Sequence, residues 1–408
     1  MAGKKVIIVT PQEDREFLDL AGSLDFDVLG IFTFRHYSNE FFVGKGKIEE
    51  IKEFLKNNTV DKILINGKLK SSQWYNLEKE LGIEVLDRVN LIIEIFADRA
   101  RTKEARLQVE LAKLRYQIPV LKEWIHRARK GEHPGFMAGG EYDVDQYYLL
   151  VERRIKKIRE ELEKVRKERE ERRKKRSRRG YFTVAIAGYT NSGKSQLMKS
   201  LSGEQVIVEN RMFSTLVSKT SRIAGIKKRI LITDTVGFIR NLPPSVIEAF
   251  NATLEEIFRA DIIILLLDGT DEMDTFREKL DTDMDILKGV EKWKILPVIN
   301  KIDSHIDDIE EKVSMVKEAL SEPILISAKT GENLDILLER IADMLDYNAE
   351  YSITLSGDRD YMGLLSFIYE YGDIIQFKVD GNIYIKFKIN SRFSGQIERF
   401  IKYIKGND

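Results

Sequence analysis

Gly188-Tyr189-Thr190-Asn191-Ser192-Gly193-Lys194-Ser195 closes the apolar run Phe182-Thr183-Val184-Ala185-Ile186-Ala187 and opens a helical stretch from Gln196 to Leu201. A strand, a glycine-bounded turn and a helix start, in that order, are what a phosphate-cradling loop requires. The glycines let the backbone wrap closely round an anion, so that amide N–H groups and the positive end of the helix point at a β-phosphate. Lys194 adds a point charge for the β- and γ-phosphates, and the Ser195 hydroxyl is placed to ligate magnesium. The alternative, a glycine turn with no ligand, is disfavoured by the strand and helix on either side. Nucleotide contacts are therefore expected from Gly188 through Gln196.

Three downstream motifs read the nucleotide. After Ile230 to Thr233 comes Asp234-Thr235-Val236-Gly237, where the carboxylate can hold magnesium through water and the Gly237 amide can sense the γ-phosphate. The run Ile295 to Ile299 delivers Asn300-Lys301-Ile302-Asp303, and Ile324 to Ile326 delivers Ser327-Ala328-Lys329. In that order they specify guanine. Asp303 can accept from both the ring N–H and the exocyclic amine of guanine, whereas adenine would leave the carboxylate unpaired at a cost of about 1–3 kcal/mol. Asn300 and the Ala328 amide complete the base pocket, and the Lys301 stem covers one face. The strand-helix alternation over 180–346 predicts a doubly wound, mostly parallel α/β sheet with its ligand at the strand ends.

A chain of 408 residues is too long for one core. Cysteine is absent, which excludes disulfides, thiolate metal sites and a cysteine nucleophile. The 67 Lys and Arg residues balance 67 Asp and Glu, so the chain is not a globally basic nucleic-acid binder. No run approaches the length of a membrane span and the start lacks the apolar region of a secretion signal, so a cytoplasmic location is expected.

Residues 1–100 alternate short apolar runs with polar helical stretches and predict a small α/β domain. Its strands are Lys5 to Val9, Val28 to Phe34, Lys62 to Ile65 and Glu84 to Leu86, and its helices Ile48 to Lys56 and Ser72 to Leu81. Within it, Val43-Gly44-Lys45-Gly46-Lys47 has two open readings, a flexible turn with solvated lysines or a contact with an anion or RNA backbone.

From Lys103 the period changes. Leu107, Leu111, Leu114, Ile118, Leu121, Ile125 and Ala128 form one heptad seam, and Val144, Tyr148, Val151, Ile155, Ile158, Leu162 and Val165 a second. An antiparallel coiled-coil hairpin over 101–179 is expected, turning at Gly131 to Gly140 and kinked at Pro119. Its second helix runs into Arg172-Arg173-Lys174-Lys175-Arg176-Ser177-Arg178-Arg179, seven cations in eight positions with no acid after Glu171. A solvated helix face is one reading; a phosphate-rich partner is the favoured one. Residues 347–408 predict a small α+β tail of order β-α-β-β-α, with a hairpin at Asp380-Gly381. No chemical constellation appears in it.

These residues resemble the HflX family of translation-associated GTPases. The most specific match is Asp234-Thr-Val-Gly-Phe-Ile-Arg-Asn-Leu-Pro-Pro-Ser-Val-Ile-Glu-Ala-Phe-Asn-Ala-Thr-Leu-Glu-Glu256. Phe96-Ala97-Asp98-Arg99-Ala100-Arg101, Leu107-Gln108-Val109-Glu110-Leu111-Ala112 and the Gly44-to-Lys47 turn also fit the family pattern. The matches cover about residues 1–345 and leave the tail as an additional domain. The resemblance implies binding to the large ribosomal subunit and its RNA, GTP-dependent dissociation of stalled or idle ribosomes, and, for some members, ATP-dependent RNA unwinding.

Two departures stand out. Gly139-Gly140-Glu141-Tyr142-Asp143-Val144-Asp145 replaces the family's Gly-Pro-Gly-Glu-Thr-Gln-Leu-Glu run, and Lys219 stands where relatives commonly carry threonine. Thr220 is the candidate magnesium-sensing residue, within one position.

Lys194, magnesium on Ser195, and the loop amides would neutralise charge during phosphoryl transfer, with Gly237 at the γ-phosphate. Phe238 stands where many GTPases place a water-orienting glutamine. Slow intrinsic hydrolysis completed by a partner or an ion is expected, or else Phe238 is a hydrophobic plug unrelated to rate. Asn191 occupies the loop position used by potassium-stimulated relatives, so potassium joins magnesium as a candidate cofactor. The leading functional reading is a ribosome-associated GTPase, expected to be a monomer. The alternatives are a nucleotide-gated RNA-binding or remodelling protein acting off the ribosome, and a signalling switch with a protein effector.

Overall fold

Short runs of apolar residues that leave no polar face must be covered on both sides, and the first such runs form a four-stranded parallel sheet. In the computed structural model, which describes residues 3–129, 141–178, 180–203, 219–223, 229–240, 251–345, 349–356 and 361–405, this sheet has the order β2-β1-β5-β6. Its strands are β1 (Lys5–Thr10), β2 (Asp27–Thr33), β5 (Lys62–Ile65) and β6 (Glu84–Asp87), with a two-residue pair β3 (Tyr37–Ser38) and β4 (Phe42–Val43) between. Helices α1 (Arg15–Gly22), α2 (Lys45–Asn57), α3 (Ser71–Leu81) and α4 (Arg88–Arg99) pack around it. Ile7, Val9, Ile63 and Val85 face one apolar layer, and Val6, Ile8, Leu64 and Leu86 the other.

Two of these helices escape the sequence pattern. α1 is only eight residues long, and is started by Asp14, whose carboxylate accepts from the Phe17 amide at 3.2 Å. α4 is buried almost throughout from Arg88 to Phe96, so it shows no polar stripe. The Gly44 turn leads from β4 into α2, and its lysines are held locally: Lys45 lies 3.4 Å from Glu40 and Lys47 2.6 Å from Glu50. That local pairing agrees with the turn reading.

Helices α5 (Lys103–Arg129) and α6 (Glu141–Arg178) pair along the expected seam. Leu107, Leu111 and Leu121 bury against Val151, Ile155 and Ile158, with Leu114, Ile118 and Leu162 partly covered. α5 continues through Pro119 as one helix. The expected turn at 131–140 and the side chains of Ile125, Ala128 and Val144 lie outside the described residues. Tyr116 on α5 donates its hydroxyl to buried Asp87, which also accepts from the Leu69 and Asn90 amides at 3.1 and 2.9 Å. This fixes the hairpin on the first sheet.

The central sheet has the order β12-β11-β10-β7-β9-β8, parallel except for β8. Its strands are β7 (Phe182–Ala187), β8 (Lys219–Arg222), β9 (Ile230–Asp234), β10 (Ile262–Asp268), β11 (Ile295–Asn300) and β12 (Ile324–Leu325). Helices α7 (Lys194–Ser202), α8 (Asn251–Phe258), α9 (Met273–Ile286), α10 (Ile309–Ala319) and α11 (Leu334–Met344) flank it. β10 is apolar from Ile262 to Leu267 and buried along its whole length. One apolar layer includes Ile264, Leu266 and Leu197, the other Ile263, Leu265 and Phe276.

The tail is β13 (Ala349–Ser356), α12 (Met362–Tyr371), β14 (Gly372–Asp380), β15 (Asn382–Ile389) and α13 (Ser394–Lys405), the β-α-β-β-α order read from the sequence. The hairpin turns at Gly381, whose φ of +66° favours glycine. Ile383, Ile385, Phe387 and Ile389 of the middle strand are buried, whereas Ile375, Phe377 and Val379 on edge strand β14 stay exposed. Arg229 ties the tail to the central unit through Glu370 at 2.6 Å and by lying over the Tyr181 and Tyr371 rings.

Candidate nucleotide-binding site

The sequence motifs converge because each follows a parallel strand of one sheet and so leaves it at the same edge. The segment 188–193 joins β7 to α7; Asp234 ends β9, Asn300 ends β11, and Ser327 follows β12. Gly193 has φ +98°, and a Cβ there would lie 2.3 Å from the Asn300 amide nitrogen. Glycine is therefore required by both conformation and space.

Asn300 knits two parts of the site together. Its amide nitrogen donates to the Ser192 carbonyl at 2.8 Å, and its oxygen accepts from the Ala328 amide at 2.9 Å. Gln196 and Ser200 on α7 reach the Ala328 carbonyl at 3.3 and 2.7 Å. The Ser327 hydroxyl donates to Asp303 at 2.7 Å and holds its carboxyl below the usual carboxylate range. The Lys329 ammonium lies 3.6 Å from the other oxygen of Asp303. Lys301, at φ +72°, directs its ammonium to Asp268 at 2.5 Å. Asp268 also accepts from the Thr270 amide and hydroxyl, at 3.1 and 2.7 Å. The sequence reading did not single out Asp268, although its position at the end of β10 is the same signal that marked Asp234 and Asn300.

At the phosphate end, Lys194 is buried and its ammonium donates to the Tyr189 carbonyl at 2.5 Å. Burial pulls its pKa down from 10.5 to about 8, against the attraction of Asp234 and Asp283. The ideal Cβ of Gly237 would stand 3.0 Å from the Lys194 ammonium and 2.8 Å from the Thr190 Cα, so only glycine lets this segment approach the loop. The buried Ser192 hydroxyl has no hydrogen-bond partner among the described residues. An anion oxygen would satisfy it.

The Ser195 hydroxyl donates to buried Asp234 at 2.7 Å. A hydroxyl and a carboxylate at a helix start form the hard-oxygen donor set that magnesium takes, and these residues fit that ion. Thr220 sits elsewhere: it pairs with Thr233 across β8 and β9, with the two hydroxyls 3.1 Å apart. Residues 204–218 and 241–250, which hold parts of the switch segment and of the family signature, lie outside the described residues. Asn191 is exposed at φ +65°.

Phe238 is buried in the apolar layer with Tyr189, Ile257 and Ile263. Its amide donates to the Gly188 carbonyl at 3.0 Å, and its carbonyl accepts from Thr190 at 2.9 Å. The ring is thus a plug that fastens the Gly237 segment to the loop. The next residues reach across to the first sheet. Ile239 is buried in that sheet's core. Arg240 pairs with Glu16 at 3.3 Å, Asp14 at 3.2 Å and Glu278 at 2.8 Å. Tyr189 donates its hydroxyl to Glu16 and accepts from the Arg240 amide at 2.8 Å. Burial and the Glu16 charge push the Tyr189 pKa up, so the phenol stays a donor. Sequence reasoning missed this bridge because its partners lie far apart along the chain.

Comparison with known proteins agrees with this geometry. Residues 12–97 match the family model described as GTP-binding GTPase N-terminal, residues 99–176 the GTP-binding GTPase Middle Region, and residues 183–301 the 50S ribosome-binding GTPase. A protein named GTPase HflX from Thermococcus kodakarensis is 40% identical over 398 residues, covering 94% of this chain and 90% of that relative. Another so named, from Methanocaldococcus jannaschii, is 37% identical over 91% of each chain. The solved structure titled "crystal structure of SsGBP and GDP complex" superposes with a TM-score of 0.52 at 31% identity, over 83% of this chain and 97% of that one.

Proposed function

The chain belongs to the HflX family of GTPases, which bind and hydrolyse GTP, and from that premise we propose that it acts on the large ribosomal subunit, its nucleotide state gating release. The observation that carries this reading is the bridge from Tyr189 and Arg240 to Asp14 and Glu16. It joins the nucleotide loop and the segment after Gly237 to the amino-terminal unit, so a change at the γ-phosphate has a physical route to the surface that would hold RNA. The match of residues 183–301 to the 50S ribosome-binding GTPase model supports the same partner.

In this reading the chain divides at 1–100, 101–179, 180–346 and 347–408. Residues 188–196 hold the phosphates, with Lys194 as the cation between them. Asn300, Lys301, Asp303 and Ser327 to Lys329 hold guanine, and Ser195 and Asp234 hold magnesium, which supplies charge neutralisation when bound. Thr220 would have to leave Thr233 to join them. Buried Phe238 cannot orient water, so the unaided rate is slow. Potassium beside Asn191 is a further candidate for completing the site, and equal turnover in sodium and potassium would remove it.

The test is GTP turnover by the purified protein in potassium buffer, alone and with separated large and small subunits. Stimulation by the large subunit only is expected; a slow rate that no ribosomal particle changes would remove the ribosome as activator. The second reading, a nucleotide-gated RNA-binding or remodelling protein acting off the ribosome, draws on α6, where Lys175 and Arg176 form no ion pair among the described residues. It predicts free structured RNA bound as tightly as ribosomes.

A further inference from the structure

At the amino-terminal edge of the central sheet, opposite the nucleotide loop, a cavity of about 470 Å³ opens where α6, the central unit and the tail meet. Its walls include Arg173 from α6, Phe258 and Arg259 at the end of α8, Trp293 and Lys294 ahead of β11, and Asn390 after β15. The volume is in the range of pockets that take small organic ligands.

Two features define its chemistry. The first is aromatic surface facing solvent: Trp293 is 63% exposed and Phe258 44%. The Lys294 ammonium lies 5.2 Å from the indole ring centroid. An exposed ring beside a cation is a platform for stacking a base.

The second is a group of three cations on the wall. Arg173, Arg259 and Lys294 line the cavity with one carboxylate, Asp261, which is committed to the Thr183 amide and hydroxyl at 2.7 and 3.0 Å. Each cation has an acid beside it: Glu170 is 3.7 Å from Arg173 and 4.0 Å from Arg259, Glu255 pairs with Arg259, and Glu291 lies 2.8 Å from Lys294. Burial, with the Arg259 charge, holds the Arg173 guanidinium below its ordinary pKa, while Glu170, Glu255 and Glu256 act in the opposite direction. Along α6 the cationic surface continues through Lys174, Lys175 and Arg176.

We propose that this cavity binds single-stranded RNA, one base stacking on Trp293 beside Phe258 while Arg173, Arg259 and Lys294 hold the flanking phosphates. Stacking needs an unpaired base, and the wall offers π-surface and cations rather than a ring of base-edge donors, so recognition is tolerant of sequence. The choice of RNA over DNA rests on the ribosomal reading above; the stacking and phosphate contacts do not.

The experiment is fluorescence anisotropy of an end-labelled twelve-nucleotide single-stranded RNA with the full-length protein over a range of potassium concentrations. Trp293→Ala should weaken binding by roughly 5- to 100-fold, Trp293→Phe should restore most of it, and Arg173→Ala should flatten the log–log salt slope by about one. Duplex RNA of the same sequence should bind at least about tenfold more weakly, because its bases are already stacked. GDP affinity should be unchanged in every variant, which checks the fold. Wild-type protein that ignores the oligonucleotide, Trp293→Ala that binds it normally, or duplex bound as tightly as single strand would each overturn the proposal. Large-subunit stimulation of GTP turnover is measured separately, so either idea can fail without the other.

Discussion

Lys194 is a buried cation proposed to meet the nucleotide phosphates, and replacing it should make the nucleotide-free protein more stable. In Lys194→Met the stem keeps its volume and the charge is lost. A fall in pKa from 10.5 to about 8 means that below pH 8 the fold carries the full cost of keeping the buried amine charged. From pH 8 to 10.5 the folded state holds fewer protons than the unfolded chain, so wild-type stability rises with pH across that window. The cost is roughly 3 kcal/mol at pH 7 and roughly 1.4 kcal/mol at pH 9.5, at about 1.4 kcal/mol per unit. For a unit of this size that is a rise in Tm of roughly 6–12 °C at pH 7, less than half of it at pH 9.5. The assay is calorimetry of the full chain without nucleotide, following the transition that GDP shifts in wild type. Asp283 also feels the Lys194 charge, so the pair is measured again with Asp283→Asn in both proteins. The variant should also lose the GDP-induced shift. Equal Tm values at pH 7, or a gap that widens at pH 9.5, would refute the reasoning.

Other substitutions test the remaining contacts. Asp303→Asn should admit xanthine nucleotides, since an amide at that position donates where the carboxylate accepted; unchanged competition by xanthosine diphosphate would mean that the base pocket is misread. Both carboxylate oxygens of Asp283 are buried with no hydrogen-bond partner among the described residues, and burial raises its pKa well above 3.8. Asp283→Asn should therefore stabilise the protein by about 1–3 kcal/mol at pH 7, with the gain shrinking as pH falls and lost below the unfolded value of 3.8, where the acid is neutral in both states. A denaturation series from pH 3 to 8 reads it, and a pH-independent difference would count against it. Tyr116→Phe should cost about 1–3 kcal/mol and lower hydrogen-exchange protection where α5 meets the first sheet, because Asp87 loses a donor; protection equal to wild type would contradict that role. Arg240→Ala should leave GDP affinity within a fewfold but raise exchange in α1, and unchanged exchange there would show that the bridge holds nothing.

The convergence of the candidate nucleotide-binding residues was legible because they sit next to the strands that deliver them: an apolar run followed by glycine, lysine and serine reports conformation and chemistry in one stretch. The same locality made the hairpin seam and the tail order readable. What sequence could not show falls into two kinds. α4 has no polar stripe because it is enclosed, so periodicity had nothing to detect, and α1 is too short for a period. The second kind is long-range: Arg240 finds Asp14 and Glu16, and the rear cavity gathers Arg173, Phe258, Trp293 and Asn390 from four separate segments. Phe238 belongs between the two. Its identity was plain in the sequence, but its place in the apolar layer with Ile257 and Ile263 was not.

Ile239 lies two residues after Gly237 and is buried, with partly covered Val236 packed alongside, in a core whose other residues come from the amino-terminal unit and α5. A γ-phosphate that draws Gly237 toward the loop must therefore either carry that core with it or pull Ile239 partly out. Linkage makes the exchange symmetrical. Whatever factor nucleotide exchange applies to the grip of the amino-terminal unit on a partner, that partner applies to the affinity for nucleotide, so a bound target would itself act as a nucleotide-exchange or nucleotide-retention factor without touching the phosphate loop.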